Sequence, residues 1–253
     1  MFYQVEGDGP PLLLISGMGS PSDTWWRVLP WLTPHLTTIR FDNRGVGRTG
    51  ISADRPYSID RMALDALAVL HAAGFARGAV FGASMGGMIA QELALRHPEA
   101  VERLILGCSS PGPADMVRDD QGTAYLRTRA AMTPEEAAEG LIALAYAPTT
   151  PRADIDADLA VRTATQQGND GFAAQLADIG VWGSLARLPG LAMPTLLIHG
   201  DVDRLSPVEN SRRMAAVIPG VRLEVIPGAG HVFWTDQPER TRAVLESFLV
   251  PDR

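Results

Sequence analysis

The sequence predicts an α/β fold, a mostly parallel, doubly wound sheet whose alternation of strands and helices is broken once by a helical insertion. Three observations lead there. Short, continuously apolar runs alternate with helical patterns along most of the chain, as expected of strands covered on both faces by crossover helices. One such run, Gly78 to Phe81, leads through Gly82-Ala83-Ser84-Met85-Gly86 into a long helical pattern. From about Pro111 to Pro189 the strand patterns stop and acidic helical ones take over.

The elements follow in order. Leu12-Leu13-Leu14-Ile15 is a strand, and Thr24 to Leu32 reads as a helix rich in tryptophan. Leu36 to Phe41 is the next strand. Ser58 to Ala73 is a helix, because Asp60, Leu64, Leu67, Ala68 and His71 keep helical spacing and Ser58 can cap its start. Ala79 to Phe81, Leu104 to Leu106, Thr195 to Ile198 and Leu223 to Ile226 are further strands. Met85 to His97, Val208 to Ile218 and Gln237 to Leu249 are the helices among them, with Pro207 and Pro238 marking two starts. Within the insertion, Pro134 to Tyr146, Ile155 to Gln166 and Gly171 to Leu185 have helical patterns. Turn signals bound it, Ser109-Ser110-Pro111-Gly112-Pro113 before and Leu188-Pro189-Gly190 after. The expected organisation is a core of residues 1–110 and 190–253 with residues 111–189 as a helical cap. The cap stands at the C-terminal edge of the sheet, where open α/β folds bind ligands.

Composition narrows the function. The 253 residues are 46% apolar, enough for one core and short for two ordinary domains. A scattered net charge of −7, with no basic stripe, argues against nucleic acid as a partner. No apolar run approaches the roughly 20 residues that cross a bilayer. Met1 to Glu6 lacks the segments of a signal peptide, so a cytoplasmic location and no membrane partner are expected. The single cysteine, Cys108, excludes internal disulfides and a thiolate-rich metal site, and reads as a small buried filler. All 22 basic residues are arginine. A chain without lysine cannot form a Schiff base, a Ser-Lys dyad or a pyridoxal-phosphate anchor. Neither a metal nor a cofactor is expected.

The pentapeptide around Ser84 is a G-x-S-x-G pattern set between strand and helix. A serine forced onto such a turn stands clear of the sheet, and small residues are needed where strand and helix nearly collide. A serine nucleophile needs a base, and the base an orienting carboxylate. His35, His71, His97 and His199 each have a structural reading, at loops, helix ends or a strand end. His231 lies instead in the glycine-rich Pro227-Gly228-Ala229-Gly230-His231, between the last strand and the last helix. The segment from Ile198 to Pro207 offers two carboxylates, Asp201 and Asp203. An oxyanion hole would take one N–H from Met85 and another from the loop Ser16-Gly17-Met18-Gly19-Ser20.

Together these stretches resemble the α/β-hydrolase superfamily over essentially the whole chain. The resemblance rests on LLLISGMGS (12–20), FDNRGVGRTG (41–50), VFGASMGGMIAQELALRHPE (80–99), LLIHGDVDRLSP (196–207) and IPGAGHVFWTDQPE (226–239). It implies the α/β-hydrolase fold, with the cap inserted after the sixth strand. It selects Asp203 over Asp201 as the acid, completing a set of Ser84, Asp203 and His231, and Met18 beside Met85 in the oxyanion hole. Asp42 and Arg44 match a turn with a structural use. The sequence departs from the family in having Ser16 where histidine is frequent, and in starting at what is commonly the second strand. The nearest group is that of small cytoplasmic esterases, 3-oxoadipate enol-lactonase-like proteins and polyketide methylesterases. The expected function is therefore hydrolysis of a small carboxylic ester or lactone through an acyl-enzyme. Thioesterase, acyltransferase or C–C hydrolase chemistry is the alternative, and a ligand-binding receptor on a hydrolase scaffold a third. In the cap, Met116, Tyr125, Leu141, Tyr146, Phe172 and Trp182 are the candidates to line a substrate pocket.

Overall fold

The computed structural model describes residues 1–51, 57–165 and 170–250. Seven strands form one sheet: β1 (Tyr3–Glu6), β2 (Pro11–Ile15), β3 (Thr37–Phe41), β4 (Gly78–Ala83), β5 (Val101–Gly107), β6 (Thr195–Gly200) and β7 (Arg222–Ile226). Their order is β1-β3-β2-β4-β5-β6-β7, and only the β1–β3 pairing is antiparallel. Alternate residues of β2 go to opposite faces, as the pleat requires. Leu13 and Ile15 join one apolar layer and Leu12 and Leu14 the other. The first layer is closed by α2 (Ile59–Ala72) and α3 (Met85–Arg96), through Met62, Ile89 and Leu93. The second takes in Leu29 and Leu32 of the helical turn before β3, and Leu245 and Phe248 near the C-terminus. Burial on both faces is why these strands read as unbroken apolar runs.

The remaining helices are α1 (Leu29–Leu32), α4 (Asp120–Thr128), α5 (Pro134–Ala145), α6 (Arg152–Thr165), α7 (Asp170–Asp178), α8 (Glu209–Ala215), α9 (Phe233–Asp236) and α10 (Pro238–Leu249). Helices α4 to α7 fill the interval between β5 and β6. The insertion thus follows the fifth strand of the sheet, where the sixth was expected, and two strands, β6 and β7, follow it. Among the described residues no helix is long and apolar enough to cross a membrane.

Several elements differ from expectation. Strand β1 has no apolar run to announce it, being a mostly exposed edge paired Tyr3 to Phe41 through Glu6 to Thr38. The helix expected over Thr24–Leu32 is two short pieces, a 3-10 turn over Ser22–Trp25 and the single turn α1. Pro30 has no N–H to return to the Trp26 carbonyl, so a continuous helix cannot form there. The break lets Trp25 turn inward onto Phe81, edge to face at 4.8 Å. Helix α4 went unanticipated, although Asp119 caps it by accepting from the N–H groups of Gln121 and Gly122. The helix expected over Gly171–Leu185 stops at Asp178, and Gly180 and Gly183 follow where helix propensity is poorest. Gln166, the last residue of the helix expected from Ile155, lies outside the described residues.

Candidate active site

Ser84 sits between β4 and α3 with φ 57° and ψ −121°, a backbone region that side chains rarely occupy. The turn is held in place. The Ser84 N–H donates to the Gly107 carbonyl at 2.8 Å, and the Ser84 carbonyl accepts from the Gly87 N–H and the Ser109 hydroxyl. Crowding explains the glycines: a Cβ on Gly86 would lie 2.1 Å from the Ile15 carbonyl oxygen. One on Gly17 would lie 3.2 Å from the Ser84 Cβ, so the loop after β2 packs directly against the serine.

That loop is anchored from several sides. Asn43 donates to the Ser16 carbonyl, Gln175 Oε1 accepts from the Gly19 N–H, and Arg162 donates to the Gly19 carbonyl and the Ser20 hydroxyl. Among the described residues, the N–H groups of Met18 and Met85 donate to no protein acceptor. Two unsatisfied donors beside one serine are what an oxyanion hole requires. Among the described residues the buried Ser16 hydroxyl has no partner.

Asp203 is the hub of the polar groups. Its Oδ1 accepts from the N–H groups of Leu205 and Ser206 at 2.9 and 2.8 Å. Its Oδ2 accepts from His231 Nδ1 at 2.7 Å and His199 Nε2 at 3.1 Å. His199 Nε2 also lies 2.7 Å from the Ser206 carbonyl and its Nδ1 2.7 Å from the Ser211 hydroxyl, which assigns the proton to Nε2. Burial by itself would raise the Asp203 carboxyl, but the charge of His231 and the two imidazole hydrogen bonds outweigh it and hold the group at about 2. Burial likewise opposes the His231 cation, yet the Asp203 carboxylate raises this histidine well above its ordinary value. Asp201 plays no part in this group; its Oδ1 accepts from the Gly228 N–H and ties down the turn after β7.

Ser84 and His231 line one cavity of about 480 Å³, without a hydrogen bond between them in this geometry. Beside the imidazole stands the Cys108 thiol, buried, with a φ of 42°. Cys108 packs in the second apolar layer, as a buried filler would, and also forms part of the cavity wall. The insertion roofs the cavity with Met116, Tyr125, Leu141, Tyr146 and Phe172. Trp182, expected with them, is not there. Its indole N–H donates to the buried Glu92 of α3, and its ring packs in the layer beneath the sheet. His35, His71 and His97 do not line the cavity, and Asp42 and Arg44 serve the structure. Asp42 accepts from Ser22 and Arg48, and Arg44 pairs with Asp65.

Sequence reasoning missed three polar residues here. His199 read as a strand end, and only the fold puts it against Asp203. Arg129 and Arg162 also line the cavity, and no local pattern distinguishes them from the other arginines.

The alpha/beta hydrolase fold family matches residues 10–237. Among curated relatives, a poly(3-hydroxyalkanoate) depolymerase of Ectopseudomonas oleovorans is 30% identical over 96% of this chain and 85% of its own length. Among solved structures, a thermophilic esterase from Thermogutta terrifontis is 25% identical with a TM-score of 0.85, covering 99% of this chain and 93% of that one. The enol-lactonase of Burkholderia xenovorans LB400 shares the fold with a TM-score of 0.86 at 21% identity, covering 98% and 96%. With nearly its whole length matched, the chain belongs to the alpha/beta hydrolase family and is a hydrolase.

Proposed function

We propose that this chain hydrolyses a carboxylic ester or lactone through an acyl-enzyme on Ser84. The observation that carries the reading is the 2.7 Å bond from His231 Nδ1 to a buried Asp203, at a cavity that also receives Ser84. Asp203 holds the imidazole so that Nε2 is free to accept a proton. Ser84 Oγ attacks the carbonyl carbon while its proton passes to His231, and the oxyanion receives the Met18 and Met85 N–H groups. The C–O bond to the alcohol then breaks, and the alkoxide takes the proton from His231. In a lactone that alcohol stays attached to the acyl chain. Water, deprotonated by His231, attacks the acyl carbon, and Ser84 leaves with the proton. The helices between Pro111 and Pro189 serve as the cap that selects the acyl or ring portion. Met116, Tyr125, Leu141, Tyr146 and Phe172 would contact it.

The test is covalent labelling with a neutral fluorophosphonate together with ester turnover. Ser84 should be labelled, and Ser84→Ala should lose about 10⁶-fold in kcat at an almost unchanged Tm. A Ser84→Ala protein that keeps more than about a tenth of the activity overturns the assignment.

A further inference from the structure

The cavity roof holds two cations that no carboxylate among the described residues pairs with. Arg129, just after α4, is 5% exposed. Its Nε donates to the Tyr125 hydroxyl at 3.2 Å, its guanidinium lies 4.3 Å from the Phe172 ring centre, and its buried Nη1 has no partner among the described residues. Arg162 of α6 donates only to neutral acceptors, the Ser20 hydroxyl at 2.8 Å and the Gly19 carbonyl at 3.1 Å. Among the described residues neither forms an ion pair. Burial, with the charge of Arg129 nearby, pushes Arg162 down to about 10, still protonated at neutral pH.

The acids that line the same cavity are committed elsewhere. Asp158 accepts from Trp26, Arg27, Tyr146 and Thr235, and Asp119 caps α4. The lining carries four arginines and two aspartates, although the chain as a whole has a net charge of −7. A buried cation is costly unless an anion meets it, and a planar guanidinium matches a carboxylate.

We propose that the substrate of this site is itself an anion, an ester or lactone that also carries a carboxylate, which docks on the guanidinium of Arg129 with Arg162 beside it. The inference rests on the ester or lactone reading above and narrows its substrate class. Because Arg162 grips Gly19 and Ser20, next to Met18, the carboxylate sits a short spacer away from the reacting carbonyl.

Paired substrates that differ only in charge test this. Monomethyl glutarate against dimethyl glutarate places the anion in the acyl half. 4-Acetoxybenzoate against its methyl ester places it in the leaving group. One pair should favour the anion by about tenfold to a hundredfold in kcat/KM, the range of a charge-assisted hydrogen bond. Arg129→Met should bring that ratio down at least tenfold, and Arg129→Lys, which keeps the charge but not the fork, should restore part of it. A binding arm needs no turnover: glutarate, but not glutaramide, should raise the Tm of the Ser84→Ala protein, and Arg129→Met should remove the shift. Neutral esters preferred in both pairs, or a ratio unmoved by Arg129→Met, overturn the proposal while leaving ester hydrolysis intact. Glutarate binding lost in Arg129→Met, without turnover of any ester, keeps the anion site and refutes the hydrolase reading instead. Absence of glutarate binding overturns the anion site.

Discussion

Asp203→Asn replaces one carboxylate oxygen with an NH₂ group, and the structure leaves that group nowhere to point. Four N–H donors converge on the carboxylate, two backbone amides on Oδ1 and two imidazoles on Oδ2. With the amide oxygen toward Leu205 and Ser206, the NH₂ faces His231 and makes Nδ1 an acceptor. The ring proton must then move to Nε2, the position that receives the serine proton in the proposed mechanism. Turned the other way, the NH₂ collides with two backbone donors, at about 1–3 kcal/mol for each one left unsatisfied. The first arrangement is therefore the populated one, and kcat on a neutral ester such as 4-nitrophenyl butyrate should fall about 10⁴-fold. Asp201→Asn is the control. Its single bond to the Gly228 N–H survives in asparagine, so kcat should change by less than about threefold, under 1 kcal/mol. Steady-state kinetics on both variants, with circular dichroism to confirm folding, decides the matter. Equal losses, or a larger loss in Asp201→Asn, would refute the assignment of Asp203 as the group that orients His231.

Since Asp203 raises His231, kcat/KM for a neutral ester should fall on acidification with a midpoint above 6.5, because the protonated ring cannot accept; a midpoint below 6 contradicts this. Glu92 is buried, yet Arg187, Trp182 and Arg96 hold it at about 2, from an ordinary 4.5. A depressed carboxyl stabilises the fold above its unfolded value and loses that contribution as the pH drops toward 2. The stability advantage of the native chain over Glu92→Gln, of the order of 2–3 kcal/mol near pH 7, should thus shrink below pH 4.5 in urea titrations, and a constant gap would refute it. Gly17→Ala brings a Cβ to 3.2 Å from that of Ser84 and should lower kcat about tenfold to a hundredfold with little change in Tm. An unchanged kcat means the loop yields without moving the serine. Trp182→Ala should cost about 3–5 kcal/mol in stability but leave the preference among acyl chain lengths alone, whereas Phe172→Ala should shift it. The opposite pattern would put Trp182 back in the pocket.

Legibility in the sequence followed how local each cause is. Strands β2, β4, β5 and β6 were plain because burial on both faces leaves a continuous apolar signature. Strand β1 was invisible, since its pairing to β3 is made by backbone groups on an exposed edge. The serine turn could be read because steric crowding dictates small residues at fixed offsets from Ser84. Choosing Asp203 over Asp201 needed the family pattern, as both acids share one loop. Trp182 misled because an aromatic in the insertion looks the same whether it meets a ligand or Glu92. His199, Arg129 and Arg162 escaped altogether. What makes them notable is a missing or distant partner, and partners separated by long stretches of chain leave no periodicity behind.

The bonds between the insertion and the loop after β2 bear on how such a protein can change. Gln175 of α7 accepts from the Gly19 N–H and donates to the Arg44 carbonyl, and Arg162 of α6 clasps Gly19 and Ser20. On the proposed function, selectivity and rate are thus inherited together. A lineage that swapped residues 111–189 wholesale would import a new cavity roof and discard the props of the loop after β2 in the same event. Small substitutions within the existing helices are the open route, and a graft between relatives will work only when it brings a glutamine and an arginine to those two positions.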